Sequence, residues 1–258
     1  MRRSAIILAS AAVLLVLGVV PVSAVNNGLL DDTSHPAVGL LVGSQDLSGC
    51  NGQAVGCSGV LIAPDVFLTT ASCTEAFNEA LATPGFITHV WVTFEPNDPF
   101  DCSKFVPVAS LKGNPDYDPS RQGVGNVGVA LLSSSASVTP AELPPANDLF
   151  SLARSQPYTV VAYGTESGGN VLTTQRRFAS ARSLGFTSEI LALTFKVGGP
   201  IPSCIGGLNE GGGAFVDSTN KVEALVTVDK GGCNASSTYQ RLDVPSVRTF
   251  LSDFVSLP

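Results

Sequence analysis

Histidine is almost missing from this sequence: among 258 residues only His35 and His89 occur, and neither lies near a cysteine. No Cys-x-x-Cys pair is present either, so the zinc reading of the cysteines lacks its usual signature, and no metal or other cofactor is expected. Charge is also scarce, at 14% of residues, and basic charge more so: 14 Lys and Arg stand against 21 Asp and Glu, a formal net charge of −7. That balance argues against nucleic acid and anionic membrane surfaces as partners. Long apolar runs are lacking except for one, from Ala5 to Val20, which is shorter than the roughly 20 residues a spanning helix needs. Arg2 and Arg3 precede it, and small residues follow at Val22-Ser23-Ala24, the pattern of a cleaved leader, with a membrane anchor as the alternative. Residues 1–24 are therefore expected to be a signal peptide, the mature chain to begin at Val25, and the protein to be secreted. Without Arg2 and Arg3 the net charge becomes −9.

Six cysteines in a chain bound for an oxidising compartment read as three disulfides. Short strand-like runs recur at 38–42, 59–62, 66–70, 86–94, 106–112, 129–132, 158–163, 175–180, 189–195, 213–216 and 222–228. With 26 glycines and 17 prolines punctuating them, they predict an all-β sandwich or barrel protein. Helix is expected only at the end, where Val247, Phe250, Leu251, Phe254 and Val255 form one apolar stripe after Pro245. The proline-rich run at 138–148 reads as a crossover linker. No internal repeat is visible.

Several blocks, taken in order, resemble the trypsin- and chymotrypsin-like serine proteases, especially small secreted bacterial ones. Cys57-Ser-Gly-Val-Leu-Ile62 and Leu68-Thr-Thr-Ala-Ser-Cys73 resemble C-G-G-T-L-I and L-T-A-A-H-C. Asn114-Pro-Asp-Tyr-Asp-Pro119 and Gly128-Val-Ala-Leu-Leu132 resemble H-P-x-Y-D-P and D-I-A-L-L. Cys204, Asn209-Glu-Gly-Gly-Gly-Ala-Phe215, Ala224-Leu-Val-Thr227 and Cys233 resemble the C…G-D-S-G-G-P…G-I-V-S…C frame. The resemblance implies two six-stranded antiparallel Greek-key barrels with a C-terminal helix, the first over 25–140 and the second over 141–258, together one domain. It also implies the pairs Cys57 with Cys73, Cys204 with Cys233 and, by elimination, Cys50 with Cys102.

At the catalytic positions the resemblance implies loss. Ser72 stands at the histidine, Gly128 at the aspartate and Gly211 at the nucleophile, so no catalytic residue is expected. Ser167, in Glu-Ser-Gly-Gly, is read as a loop serine, His89 as a strand residue and His35 as a turn or strand-entry residue. Glu210 matches the acid that pairs with the mature N-terminus, here Val25, with a surface loop charge as the alternative. The amides of Asn209 and Gly211 would form a residual oxyanion loop. Asp229 would crowd the cleft entrance or stand solvated beside Lys230. The leading expectation is a secreted, monomeric, non-catalytic homologue that binds a protein or peptide. The alternative is a secreted endopeptidase using other residues.

Overall fold

The computed structural model describes residues 29–121, 123–165, 172–195, 210–227 and 236–258. In chain order the elements are β1 (Leu29–Leu30), β2 (Val38–Ser44), β3 (Ala54–Ala63), β4 (Val66–Thr69), α1 (Ala71–Ala82), β5 (His89–Thr93), β6 (Val106–Gly113) and β7 (Gly128–Leu132). The second half holds β8 (Pro157–Thr165), β9 (Leu172–Phe186), β10 (Ile190–Phe195), β11 (Gly213–Val216), β12 (Val222–Val226), β13 (Ser236–Arg241) and α2 (Pro245–Leu251). Strands β2-β3-β4-β7-β6-β5 close into one antiparallel barrel. Strands β8-β9-β10-β13-β12-β11 close into another through the β11–β8 pairing, and β1 adds to the edge of β9. Closure leaves few bare strand edges in a fold built from short strands.

The apolar runs form these strands because the walls are largely buried, on both faces in the most enclosed strands. Every residue of β2 is buried, as is every residue of β4 and β12. Gly59 shows how tightly the first barrel closes: a Cβ there would lie 2.3 Å from the Phe67 ring and 2.4 Å from the Leu68 carbonyl oxygen. One core, with Leu40, Leu61, Phe67 and Val129, fills this barrel and continues through Tyr163 and Phe215 into the junction, where Val247, Phe250 and Leu251 of α2 join it. A second core, with Tyr158, Leu191, Leu193 and Tyr239, fills the other barrel.

Polar contacts lock the junction. Arg176 on β9 is buried and donates Nε to Asp31 Oδ2 at 2.8 Å, Nη1 to the Val38 and Phe94 carbonyls, and Nη2 to the Asp32 carbonyl. His35 joins the same carboxylate through Nδ1 at 2.5 Å. The Tyr163 hydroxyl donates to the Glu95 carbonyl at 2.8 Å, and its backbone N–H donates to Ser58 Oγ at 2.9 Å.

Helix α1, the terminal helix and the linker differ from expectation, as does β13, which no predicted run covers. Helix α1 stands where the sequence pattern predicts none; Thr70 caps it by accepting from the Cys73 N–H, and Ala71, Cys73, Thr74 and Phe77 form its buried face. The terminal helix is shorter than its apolar stripe suggests, because turns begin at Ser252, although Phe254 and Val255 still pack against the core. The predicted linker is pinned down at several points. Glu142 bridges to Lys221, the Ala141 N–H donates to the Leu61 carbonyl, and the Asn147 N–H donates to the Asp243 carbonyl.

Candidate active site

The start of α1, the loop before β7 and the residue three before β11 come together between the barrels. Thr70 must cap the helix, and this brings Ser72 into its first turn with the hydroxyl turned toward Glu210. The Cys57–Cys73 disulfide ties that turn to β3. Asn126 is held by the turns that precede β7: its own N–H donates to the Gly123 carbonyl, and the Gly125 N–H reaches Gln240 Oε1 at 2.6 Å. Glu210 is fixed by its C-terminal neighbours. The Gly211 N–H donates to the Val226 carbonyl at 2.9 Å, and the Val226 N–H returns a bond to the Gly212 carbonyl at 2.8 Å.

Glu210 is the hub. Its Oε1 accepts from the Ser72 hydroxyl, from Thr70 Oγ1 at 3.0 Å and from Asn126 Nδ2 at 3.2 Å. Asn126 Oδ1 accepts from the Ser72 backbone N–H at 2.9 Å, and the amide and the Ser72 hydroxyl also lie within hydrogen-bond distance. Tyr117 lies near this cluster; burial first, and the charges of Glu210 and Glu75, push its phenol's ionisation upward against the opposing influence of Ser72. Thr70, Asn126 and Glu210 are buried, and Ser72 is half-buried. The arrangement gives one carboxylate satisfied by neutral donors. Among the described residues no cation shares it.

Neither histidine enters this cluster. His35 is committed to Asp31 and lies against the Phe215 ring, while His89 opens β5, beside Thr88 Oγ1 at 2.8 Å and the Trp91 ring. Asp118 is half-buried and accepts within its own turn from the Ser120 N–H at 2.8 Å.

Two assignments shift. Gly128 does not face Ser72: it pairs with Thr69 at the first position of β7, where a Cβ would strike the Thr70 carbonyl at 2.8 Å. Asn126, two residues earlier, supplies the side chain that meets the Ser72 backbone. Gly211 likewise turns away, at φ +85, and a Cβ there would lie 2.2 Å from the Ser58 carbonyl oxygen. Glu210 is the residue of that loop that faces Ser72, not a surface charge. Its partner Val25 in the expected ion pair lies outside the described residues, as do Asn209, Ser167, Asp229 and the Cys204–Cys233 pair. The pair Cys50–Cys102 is formed and joins two loops of the first barrel.

The cysteines nearest Glu210 are those of the Cys57–Cys73 disulfide, so they do not combine with its carboxylate into a metal site. As chemistry, a hydroxyl bonded to a carboxylate lacks the imidazole that takes a proton during attack and returns it to the leaving group. The buried carboxylate also puts negative charge beside the point where attack on a carbonyl would develop an oxyanion.

The fold has many solved counterparts. The structure of HL collagenase superposes with a TM-score of 0.68 at 16% identity, over 88% of this chain and 97% of that one. Human heparin binding protein gives 0.64 at 18% identity, over 88% and 95%. A second structure of a protein designated HBP gives 0.65 at 17%, over 90% and 96%. No curated protein matches the chain by sequence. The family model for trypsin matches residues 32–246, the span that holds both barrels and the Ser72, Asn126 and Glu210 cluster, and the chain therefore belongs to the trypsin family.

Proposed function

We propose that this trypsin-family protein is non-catalytic, with Ser72, Asn126 and Glu210 standing where the family carries histidine, aspartate and serine. The observation that carries the reading is the hydrogen bond from the Ser72 hydroxyl to Glu210 Oε1, with Asn126 bonded to both. A side chain that would lend a base is replaced by one that donates, and the place of a nucleophile holds an anion already satisfied by three donors. What persists is the scaffold: two barrels, their junction and the disulfides. We assign it to binding a protein or peptide through its cleft and loops, as a monomer outside the cell. The two disulfides and the family's character are consistent with that location.

A second reading has one observation in its favour. Hydroxyl, carboxylate and orienting amide lie within hydrogen-bond reach, the general form of an activated nucleophile. A carboxylate is, however, a much weaker base than imidazole toward an alcohol. Incubating the folded protein with a diverse peptide library, beside a disulfide-reduced control, separates the readings. We expect no fold-dependent cleavage; sequence-selective cuts that vanish on reduction would establish a peptidase.

A further inference from the structure

Glu223 on β12 lies in the wall of the second barrel, apart from the Ser72 cluster. Its side chain is fully buried, and among the described residues neither carboxyl oxygen has a hydrogen-bond donor in reach. The charges that act on it are the carboxyls of Asp148 and Asp243 and the cation of Lys221; the Tyr158 phenol feels the same carboxyls and also the cation of Arg241. The cations are already engaged. Arg241 gives Nε and Nη2 to the two oxygens of Asp243 at 2.8 Å each. Lys221 Nζ bonds to Asp148 and stands 3.9 Å from Glu223. Three carboxyls thus share two cations. Because the Lys221 ammonium is bonded to Asp148 and also 3.9 Å from Glu223, the two carboxyls are neighbours, and they can join in a hydrogen bond only if one of the two carries a proton.

Asp148 belongs to the connection between the barrels, not to a barrel wall. It opens a 3-10 turn, Asp148–Phe150, preceded by Asn147 in a left-handed conformation at φ 60. The neighbouring Leu149 is buried in the second core, and its N–H donates to Asp243 Oδ2 at 3.1 Å. The acidic cluster is therefore one of the points that fasten this connection to the second barrel, beside the Glu142–Lys221 bridge and the buried Leu149.

We infer that Glu223 is a proton-holding latch: its neutral carboxyl donates to the Asp148 carboxylate and clamps the inter-barrel connection, and loss of that one proton frees it. Burial, followed by the charges of Asp148 and Asp243, supports this by raising the Glu223 carboxyl to about 8 against the opposing pull of Lys221. With the connection open and Glu223 in water, the carboxyl returns to the ordinary glutamate value of about 4.3. Between those two values the closed state holds one proton more than the open state. Opening is thus least below the lower value, rises by up to about tenfold per pH unit, and levels off above the higher one.

The experiment is hydrogen exchange on the full chain from pH 5 to pH 9, with rates corrected for intrinsic exchange. The amides of Asn147 and Leu149, which both donate to Asp243, report on the latch, and that of Leu61, which donates to the Ala37 carbonyl, serves as reference. We expect the opening of Asn147 and Leu149 to rise at least about 100-fold toward pH 8 while Leu61 does not follow. Glu223→Gln keeps a donor toward Asp148 without titrating and should flatten the rise. An unchanged slope in that variant, or identical pH responses at all three amides, would overturn the latch. A second readout needs no variant: carbon NMR of labelled glutamate carboxyls should show one group still protonated at neutral pH. Ionisation of every glutamate below about pH 6 would overturn it equally.

Discussion

Arg176 is among the largest fully buried side chains of the described residues, and each of its three guanidinium nitrogens has an acceptor. Its role is structural. Asp31, buried with it, would be raised by desolvation alone, but the hydrogen bond from His35 and the charges of His35 and Arg176 outweigh burial and hold its carboxyl below the usual range. The stabilisation it contributes is therefore complete above the ordinary aspartate value of about 3.9 and is lost as pH falls through the depressed one. Replacing Arg176 with Met should leave Asp31 buried without its guanidinium and cost about 3–5 kcal/mol. Denaturant unfolding should show that loss at neutral pH together with a weaker dependence on acid. None of this is legible in the sequence, because an arginine in a strand gives no sign that the distant Asp31 will meet it.

The elements are readable where a period or a bounded apolar run marks them, as in β2, β4 and β11, and unreadable where tertiary contacts set the outcome. Helix α1 illustrates the second case. Its cap, Thr70, sits inside what reads as a continuous strand, and its buried face is built largely from small or polar residues such as Ala71 and Thr74, which give little apolar periodicity. Strand β13 escapes a sequence reading for a related reason: Ser236–Arg241 is mostly polar, and its position between β10 and β12 defines it. Thr70 carries two duties at once, accepting from the Cys73 N–H and donating to Glu210. Thr70→Ala should therefore cost about 2 kcal/mol by thermal unfolding, the sum of a lost cap and a lost donor to a buried carboxylate. Thr70→Ser keeps both bonds and should cost less than half as much.

At the scale of the molecule, the family resemblance implies two barrels, the pair Cys57–Cys73 and, only by elimination, the pair Cys50–Cys102, and both pairs are formed. Ser72 is legible as the residue facing the cleft because Cys73 fixes its register. The other members of the cluster are less so. Three consecutive glycines from Gly211 carry no marker of register, and the run at Gly128 aligns almost equally well two residues earlier, so Asn126 and the inward turn of Glu210 emerge only from the hydrogen bonds. On the proposed reading the scaffold remains, while the hydroxyl at 72 donates to a carboxylate instead of attacking a substrate. The most direct measurement is intact-mass spectrometry of the folded protein after incubation with an activated ester or a serine-directed phosphonate, beside Ser72→Ala. The account predicts no adduct on the wild type beyond that on the variant. A one-to-one adduct at Ser72, absent from Ser72→Ala, would contradict it.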